Sequence, residues 1–276
     1  MAELHVACVQ LNSGPEIADN LAVIGDLVRR ARGEGAALIA LPENCAMLEP
    51  RRPKLLEKVE PEDSHSALRG LRQLAAETGA WLLVGSLAVK LAADKVANRS
   101  FLLDDKGGIV ASYDKLHMFD VTLASGESYR ESSTFQPGGH TVVATTPWAR
   151  LGMTVCYDLR FPALYRALAE AGAEILTVPS AFTRPTGQAH WDVLLRARAI
   201  ETGCFVLAPA QTGEHAEGRK TYGHSLIVDP WGEVLADGGE AVGIVTAKLD
   251  LARVAAVRGM VPSLIHGRPI PKPELR

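Results

Sequence analysis

Paired cysteines are missing from this sequence. Cys8, Cys45, Cys156 and Cys204 are the 4 cysteines in 276 residues, none is spaced as C-x-x-C, and their intervals fit neither a zinc ribbon nor a disulfide framework. A reducing compartment, the cytoplasm, is therefore expected. An excess of basic charge is missing too. The 29 Lys and Arg stand against 32 Asp and Glu, a formal net charge of −3, which leaves no footprint for nucleic acid and no polybasic membrane patch. No apolar run is long enough to cross a bilayer. The opening MAELHVACVQL has a strand-like apolar pattern but no basic n-region, so no secretory signal is expected. Nor is there a linker-like Gly/Ser/Pro run or a break in composition. Residues 1–276 read as a single α/β domain with a Pro-rich tail from about 258.

What is present is an alternation of short apolar strands and amphipathic helices. Residues 4–11 read as a buried strand. Over 20–32, Leu21, Ile24, Leu27, Val28 and Ala31 share one helical face, closed by Gly33 and Gly35. A short apolar strand over 37–41 ends in Pro42-Glu43-Asn44. A polar loop is expected over 49–63, then a helix capped by Ser64 and stopped by Gly79. Strands follow over 81–89 and 97–103, with a hairpin turn at 104–108 leading into a strand over 109–113. The segment 121–139 is long, polar and aperiodic, which in a compact domain marks function or motion. Later, a helix is expected over 189–201, a polar loop over 211–221, and a short helix over 251–257. Hairpins mixed with crossovers predict sheets covered by helices on their outer faces, in two or more layers.

One stretch concentrates the chemistry. Residues 151–176, LGMTVCYDLRFPALYRALAEAGAEIL, open as a strand on Leu151, Met153 and Val155 and continue as a helix on Leu164, Ala167, Leu168 and Ala171. Pro162 suits the first helical turn and Gly172 the stop. Cys156 falls on the corner, where a thiol stands at a sheet end beside the N–H groups of the next turn. Nucleophile elbows of hydrolases share this geometry. A buried structural cysteine is the competing reading, since free Cys is among the most buried residue types.

Two more charged residues follow apolar strands, Glu43 and Lys115. Each is a solvated loop charge by default, yet positions just past strand ends are where α/β proteins place active sites. The three types together suffice for attack on an amide or nitrile. A thiol with an ordinary pKa of about 8.5 is only a few per cent thiolate at neutral pH, so it needs a base, which Glu43 can be. The developing oxyanion needs donors, which Lys115 and an elbow N–H can be.

In Leu41-Pro42-Glu43, Tyr113-Asp114-Lys115-Leu116-His117 and Val155-Cys156-Tyr157-Asp158-Leu159-Arg160-Phe161-Pro162, the chain resembles the nitrilase superfamily of carbon–nitrogen hydrolases. The family's Glu, Lys and Cys blocks occur in this order, and the likeness covers nearly the whole chain. The resemblance implies a four-layer α-β-β-α sandwich, a Glu43–Lys115–Cys156 triad, and catalysis with no metal or organic cofactor. It implies a homodimer formed through helices on one face, with the helix over 162–171 and the tail as expected contributors. It also implies a second glutamate in the long loop, for which Glu131 fits best and Glu127 is the alternative. Arg160, 4 residues past the thiol, is a candidate fork for a substrate carboxylate, or else ties helix to loop. Cys45, His117, His190 and His224 are read as structural, because the mechanism needs none of them.

Residues 180–232 resemble the deaminated-glutathione amidase branch, with the ω-amidases that act on 2-oxoglutaramate as near relatives. That likeness implies a small carboxylate-bearing amide as substrate, cleaved at a non-peptide C–N bond through a Cys thioester. Tyr157, Phe182, Thr183 and Thr186 are candidates for the substrate pocket. Arg219 and Lys220 are candidates for a second anion anchor, or else solvated charges. Two readings from other classes stand beside this one. A redox-sensing thiol protein would use Cys156 but leaves the Glu and Lys blocks unexplained and lacks an adjacent resolving cysteine. An idle scaffold would be expected to lack one of the catalytic residues.

Overall fold

A computed structural model describes residues 3–122, 126 and 128–275 of the chain. Glu127, the alternative second glutamate, lies outside the described residues. Two six-stranded sheets form the interior. The first runs in the order Gly243–Leu249, Leu4–Gln10, Leu38–Ala40, Trp81–Lys90, Val96–Leu103, Ile109–Asp114. The second runs Val234–Asp237, Leu226–Val228, Phe205–Ala208, Ile175–Thr177, Arg150–Met153, Val142–Thr145.

Side-chain alternation shows how the layers stack. Along Leu4–Gln10, Leu4, Val6 and Cys8 join the core shared with the second sheet. Ala7 and Val9 point the other way, into a core made with the helices Ile17–Gly33 and Ser66–Thr78. Burial on both faces is why this strand reads as an unbroken apolar run. The helices Pro162–Glu170 and Arg184–Thr202 cover the second sheet through Leu164, Leu168, Trp191 and Leu195. The architecture is the four-layer α-β-β-α sandwich.

Several boundaries differ from expectation. The helix placed after Ser64 begins at Ser66, because His65 is its cap, with Nδ1 accepting the Leu68 N–H at 3.5 Å. The 49–63 segment holds a short helix, Arg52–Lys58, with Pro53 in its first turn. The helix expected from 189 starts at Arg184, again with Pro at its start, and Ile200 faces solvent while Arg198 and Thr202 are buried. Both long loops carry hairpins of three-residue strands: Asp120–Thr122 with Ser128–Arg130, and Thr212–Glu214 with Lys220–Tyr222. Strands this short leave no periodicity to read. The last helix is Ala252–Met260, so the exposed tail follows it. Among the described residues no helix is long and apolar enough to cross a membrane.

Parallel pairing sets the place of the site. Leu38–Ala40 runs parallel to Leu4–Gln10 and Trp81–Lys90, and Ile175–Thr177 parallel to Arg150–Met153 and Phe205–Ala208. The carboxyl ends of these strands are joined across the sheets by Leu11 N–H to Ala210 C=O at 3.3 Å and Thr212 N–H to Leu11 C=O at 2.7 Å. Glu43 arrives there because the chain crosses directly over Gly85. A Cβ at Gly85 would stand 2.0 Å from the Leu41 carbonyl oxygen and 2.4 Å from that of Pro42, so only glycine permits the crossing.

Candidate active site

Glu43, Lys115 and Cys156 converge from three strand ends and are buried, at 3%, 2% and 7% exposure. Lys115 Nζ donates to Glu43 Oε1 at 2.9 Å and to both oxygens of Glu131, at 2.9 and 2.8 Å. Glu43 Oε2 accepts the Ala181 N–H at 2.9 Å, and the same carboxylate faces the Cys156 thiol. Glu131 Oε2 accepts the Phe119 N–H at 2.6 Å. The structure thus brings Glu131 to the lysine along with the triad.

The elbow is tighter than a strand running straight into a helix. The strand Arg150–Met153 gives way to a 3-10 turn, Cys156–Arg160, and the helix begins only at Pro162. Cys156 has φ 49°, the left-handed region that costs a non-glycine residue about 1–3 kcal/mol. Its N–H donates to the Pro179 carbonyl at 3.0 Å, so the elbow's candidate oxyanion donor is the Tyr157 N–H. Asp158 holds the turn. Its Oδ2 accepts from Tyr113 Oη at 2.7 Å and Val155 N–H at 2.9 Å, and its Oδ1 from the His117 N–H at 3.1 Å and Nδ1 at 2.7 Å. One carboxylate therefore ties the nucleophile's turn to the chain on either side of Lys115.

Charge states follow from the contacts. Burial pushes the Cys156 thiol up, and the Glu43 charge pushes it further, so sulfur keeps its proton. Burial alone would raise Glu43 as well, but the Lys115 ammonium, by charge and by hydrogen bond, outweighs it and holds the carboxyl below its ordinary value. Burial would lower Lys115, but Glu131 and Glu43 outweigh that and raise it. The resting site is a thiol beside an ionised carboxylate, with an ammonium at hand. Elsewhere burial pushes the Cys45 thiol up to about 12 and raises Cys8 and Cys204 too, in keeping with packing roles.

A cleft of about 220 Å³ opens over Cys156, and Tyr157, Phe182, Thr183 and Thr186 line it. Thr183 and Thr186 hydroxyls pair at 2.7 Å, and the Tyr157 ring meets Phe119 edge-on at 5.1 Å. Arg160 is outside the lining. Its guanidinium stands behind that wall, 5.3 Å from the Phe182 ring centre and 6.0 Å from that of Tyr157, and contacts His190 Nδ1 at 3.3 Å. A 3-10 turn has about three residues per turn, which swings position 160 away from the direction of the thiol. Arg219 does line the cleft, donating to the Ala181 carbonyl at 3.1 Å and lying over the Tyr129 ring at 5.8 Å. Lys220 is outside it and pairs with Glu214 at 3.4 Å. His117, His190 and His224 are engaged by Asp158, Arg160 and Asp237 and none lines the cleft.

Two contributors escape the sequence reading. Asn98 Nδ2 donates to Glu43 Oε1 at 2.9 Å and Glu131 Oε1 at 3.2 Å. Gln211 Nε2 donates to the Glu43 carbonyl at 3.0 Å and to Ser13 Oγ at 2.8 Å. The available signal is an asparagine, disfavoured in strands, inside the strand-like run VANRSFLL. Among the described residues no group of three or more His, Cys, Asp or Glu is arranged to hold a metal.

Comparison with known proteins gives the family. The carbon-nitrogen hydrolase family model matches residues 5–259. The chain is 42% identical over 271 residues to a deaminated glutathione amidase of Yersinia enterocolitica, covering 97% of this chain and 94% of that one. It superposes on the C. elegans NitFhit protein with a TM-score of 0.91 at 35% identity, over 97% of this chain and 66% of that longer one. It also superposes on an amidase from Nesterenkonia sp. AN1, seen with acrylamide added at its active-site cysteine, with a TM-score of 0.80 at 27% identity, over 94% and 98% of the two chains. Matched from its first strand into its last helix, the chain belongs to the carbon–nitrogen hydrolase family, the nitrilase superfamily.

Proposed function

We propose that this chain is a thiol-dependent amidase whose substrate is deaminated glutathione, cleaved to 2-oxoglutarate and cysteinylglycine. The observation that carries the chemistry is the buried Cys156 thiol facing an ionised Glu43 that pairs with Lys115 at 2.9 Å. The branch is supported by likeness to the Yersinia relative of that name.

In the first half-reaction the sulfur attacks the amide carbonyl carbon while its proton passes to Glu43. Lys115 Nζ and the Tyr157 N–H stabilise the oxyanion. Glu43 then gives that proton to the leaving nitrogen, the C–N bond breaks, and a thioester and a free amine result. In the second, Glu43 takes a proton from water, the hydroxyl adds to the thioester, the C–S bond breaks, and the proton returns to sulfur. Glu131 keeps Lys115 placed throughout. Tyr157, Phe182, Thr183 and Thr186 form the wall against the substrate. Arg160 behind that wall and Arg219 on the lining supply positive charge for substrate carboxylates.

The protein works without a cofactor, in the cytoplasm, as a homodimer whose contacts include the helix Pro162–Glu170 and the tail. Light scattering at micromolar concentration checks the assembly, and a clean monomer refutes it. The test of substrate is kcat/KM measured in parallel on deaminated glutathione, 2-oxoglutaramate and a simple nitrile, with that order expected. If 2-oxoglutaramate is turned over at least as efficiently as deaminated glutathione, the ω-amidase reading replaces this one.

A further inference from the structure

Asn98 lies on the strand Val96–Leu103 at 1% exposure. Its side-chain amide has two hydrogens, and each meets a carboxylate, Glu43 Oε1 and Glu131 Oε1. Its backbone carbonyl accepts the Lys115 N–H at 3.0 Å. A single residue thus touches Glu43, Glu131 and Lys115. Its Oδ1 is buried with no hydrogen-bond partner among the described residues, an arrangement that is ordinarily unfavourable. Turning the amide over would press that oxygen against two carboxylates, so the surrounding charge dictates the orientation.

A carboxylate oxygen has two in-plane lone pairs. At Glu43 Oε1, Lys115 Nζ and Asn98 Nδ2 occupy both. At Oε2, the Ala181 N–H occupies one and the other stays open. We propose that Asn98 is a positioning residue of the reaction: by filling Oε1 it makes Glu43 Oε2 the oxygen that exchanges the proton with Cys156, and it keeps Glu43 ionised next to Glu131. The groups that face Glu43 are Lys115 and Arg219, both positive, the Cys156 thiol, and, through Lys115 and Asn98, the second carboxylate of Glu131. Two carboxylates share one buried ammonium, while Arg219 acts on Glu43 by charge alone and gives its hydrogen bond to the Ala181 carbonyl. An amide donates to both carboxylates without a charge of its own and without a proton to lose.

The inference rests on Glu43 being the base, and its test separates the two. The rate of iodoacetamide alkylation of Cys156 is followed against pH in wild type, Asn98→Ala, Asn98→Asp and Glu43→Gln, alongside kcat, KM and the melting temperature. Loss of a donor to the ionised form raises the acid limb in Asn98→Ala by about one unit, and an added carboxylate raises it further in Asn98→Asp. Turnover by Asn98→Ala drops about tenfold or more in kcat with KM within about twofold. Should Asn98→Ala fail to fold, Asn98→Leu, which keeps the volume and removes the donor, is read the same way. An acid limb unmoved in the Asn98 variants overturns the proposal whatever happens to melting, because a merely structural asparagine would not retitrate Glu43. A wild-type limb preserved in Glu43→Gln instead overturns Glu43 as the base. Alkylation needs no substrate, so the result stands apart from the identity of the amide.

Discussion

Glu43 and Asp158 are carboxylates of equal concealment, 3% and 0% exposed, both set against the turn that carries Cys156. Their surroundings give them opposite work. Asp158 is saturated, with Tyr113 and Val155 on one oxygen and His117 twice on the other. It has no lone pair to give a proton without breaking a bond that holds the elbow. Glu43 is saturated on Oε1 and half-filled on Oε2, and the Cys156 thiol is the proton donor that faces it. At the same burial, the number of donors decides whether a carboxylate supports a turn or accepts a proton.

The largest effect removes the group on which the comparison hinges. Cys156→Ala should lose all turnover while circular dichroism and the denaturation transition stay close to wild type. Residual amidase activity in that variant would end the thioester mechanism. Next, Glu43→Gln keeps the shape of the side chain and removes its basicity. A loss of about 10²–10⁴-fold in kcat is expected, with some fall in melting temperature because the amide cannot accept from Lys115, Asn98 and the Ala181 N–H together.

The pH dependence has a definite sign. Activity needs Glu43 ionised, and Lys115 outweighs burial to hold its carboxyl below the ordinary value of 4.5. Activity should therefore persist as pH falls to about that value and decline only below it, as the group protonates. A kcat/KM profile whose acid limb lies above the ordinary carboxylate range would contradict the charge state assigned to the site.

Asp158→Asn is the mirror experiment. An amide cannot accept from all four donors, and each buried donor left unpaired costs about 1–3 kcal/mol. The denaturation midpoint should fall with an unchanged m-value, whereas the acid limb of alkylation should stay in place. If Glu43→Gln proved the destabilised variant and Asp158→Asn the stable one, the division of labour would be reversed.

Arg160→Ala separates two sizes of effect. Direct pairing with a substrate carboxylate would raise KM for acidic amides by about 1.5–3 kcal/mol. Support of the Tyr157–Phe182 wall alone would be worth only about 0.5–1 kcal/mol. The smallest effect is backbone strain: Cys156→Gly should be more stable than Cys156→Ala by about 1 kcal/mol in chemical denaturation, because glycine adopts φ 49° without penalty.

By itself, the sequence determines the strands, the main helices and the three candidate reacting groups. Glu43, Lys115 and Cys156 each follow a strand-like run, which alone marks a solvated charge or a packed thiol; they are legible together, as three blocks in the order of the family's Glu, Lys and Cys. The layers are legible because a strand buried on both faces, such as residues 4–11, has a pattern of its own. Tertiary structure alone decided the rest. Asn98 meets Glu43 across 55 positions, and Tyr113 meets Asp158 across 45. No local pattern encodes such meetings, since register and crossing set them. Arg160 turned behind the wall because a 3-10 turn, which differs from an α-helix by a fraction of a residue per turn, leaves no mark on hydrophobic spacing. Proton affinity was beyond the sequence for the same reason. It depends on how many donors reach each oxygen, and the donors come from strands that only folding brings together.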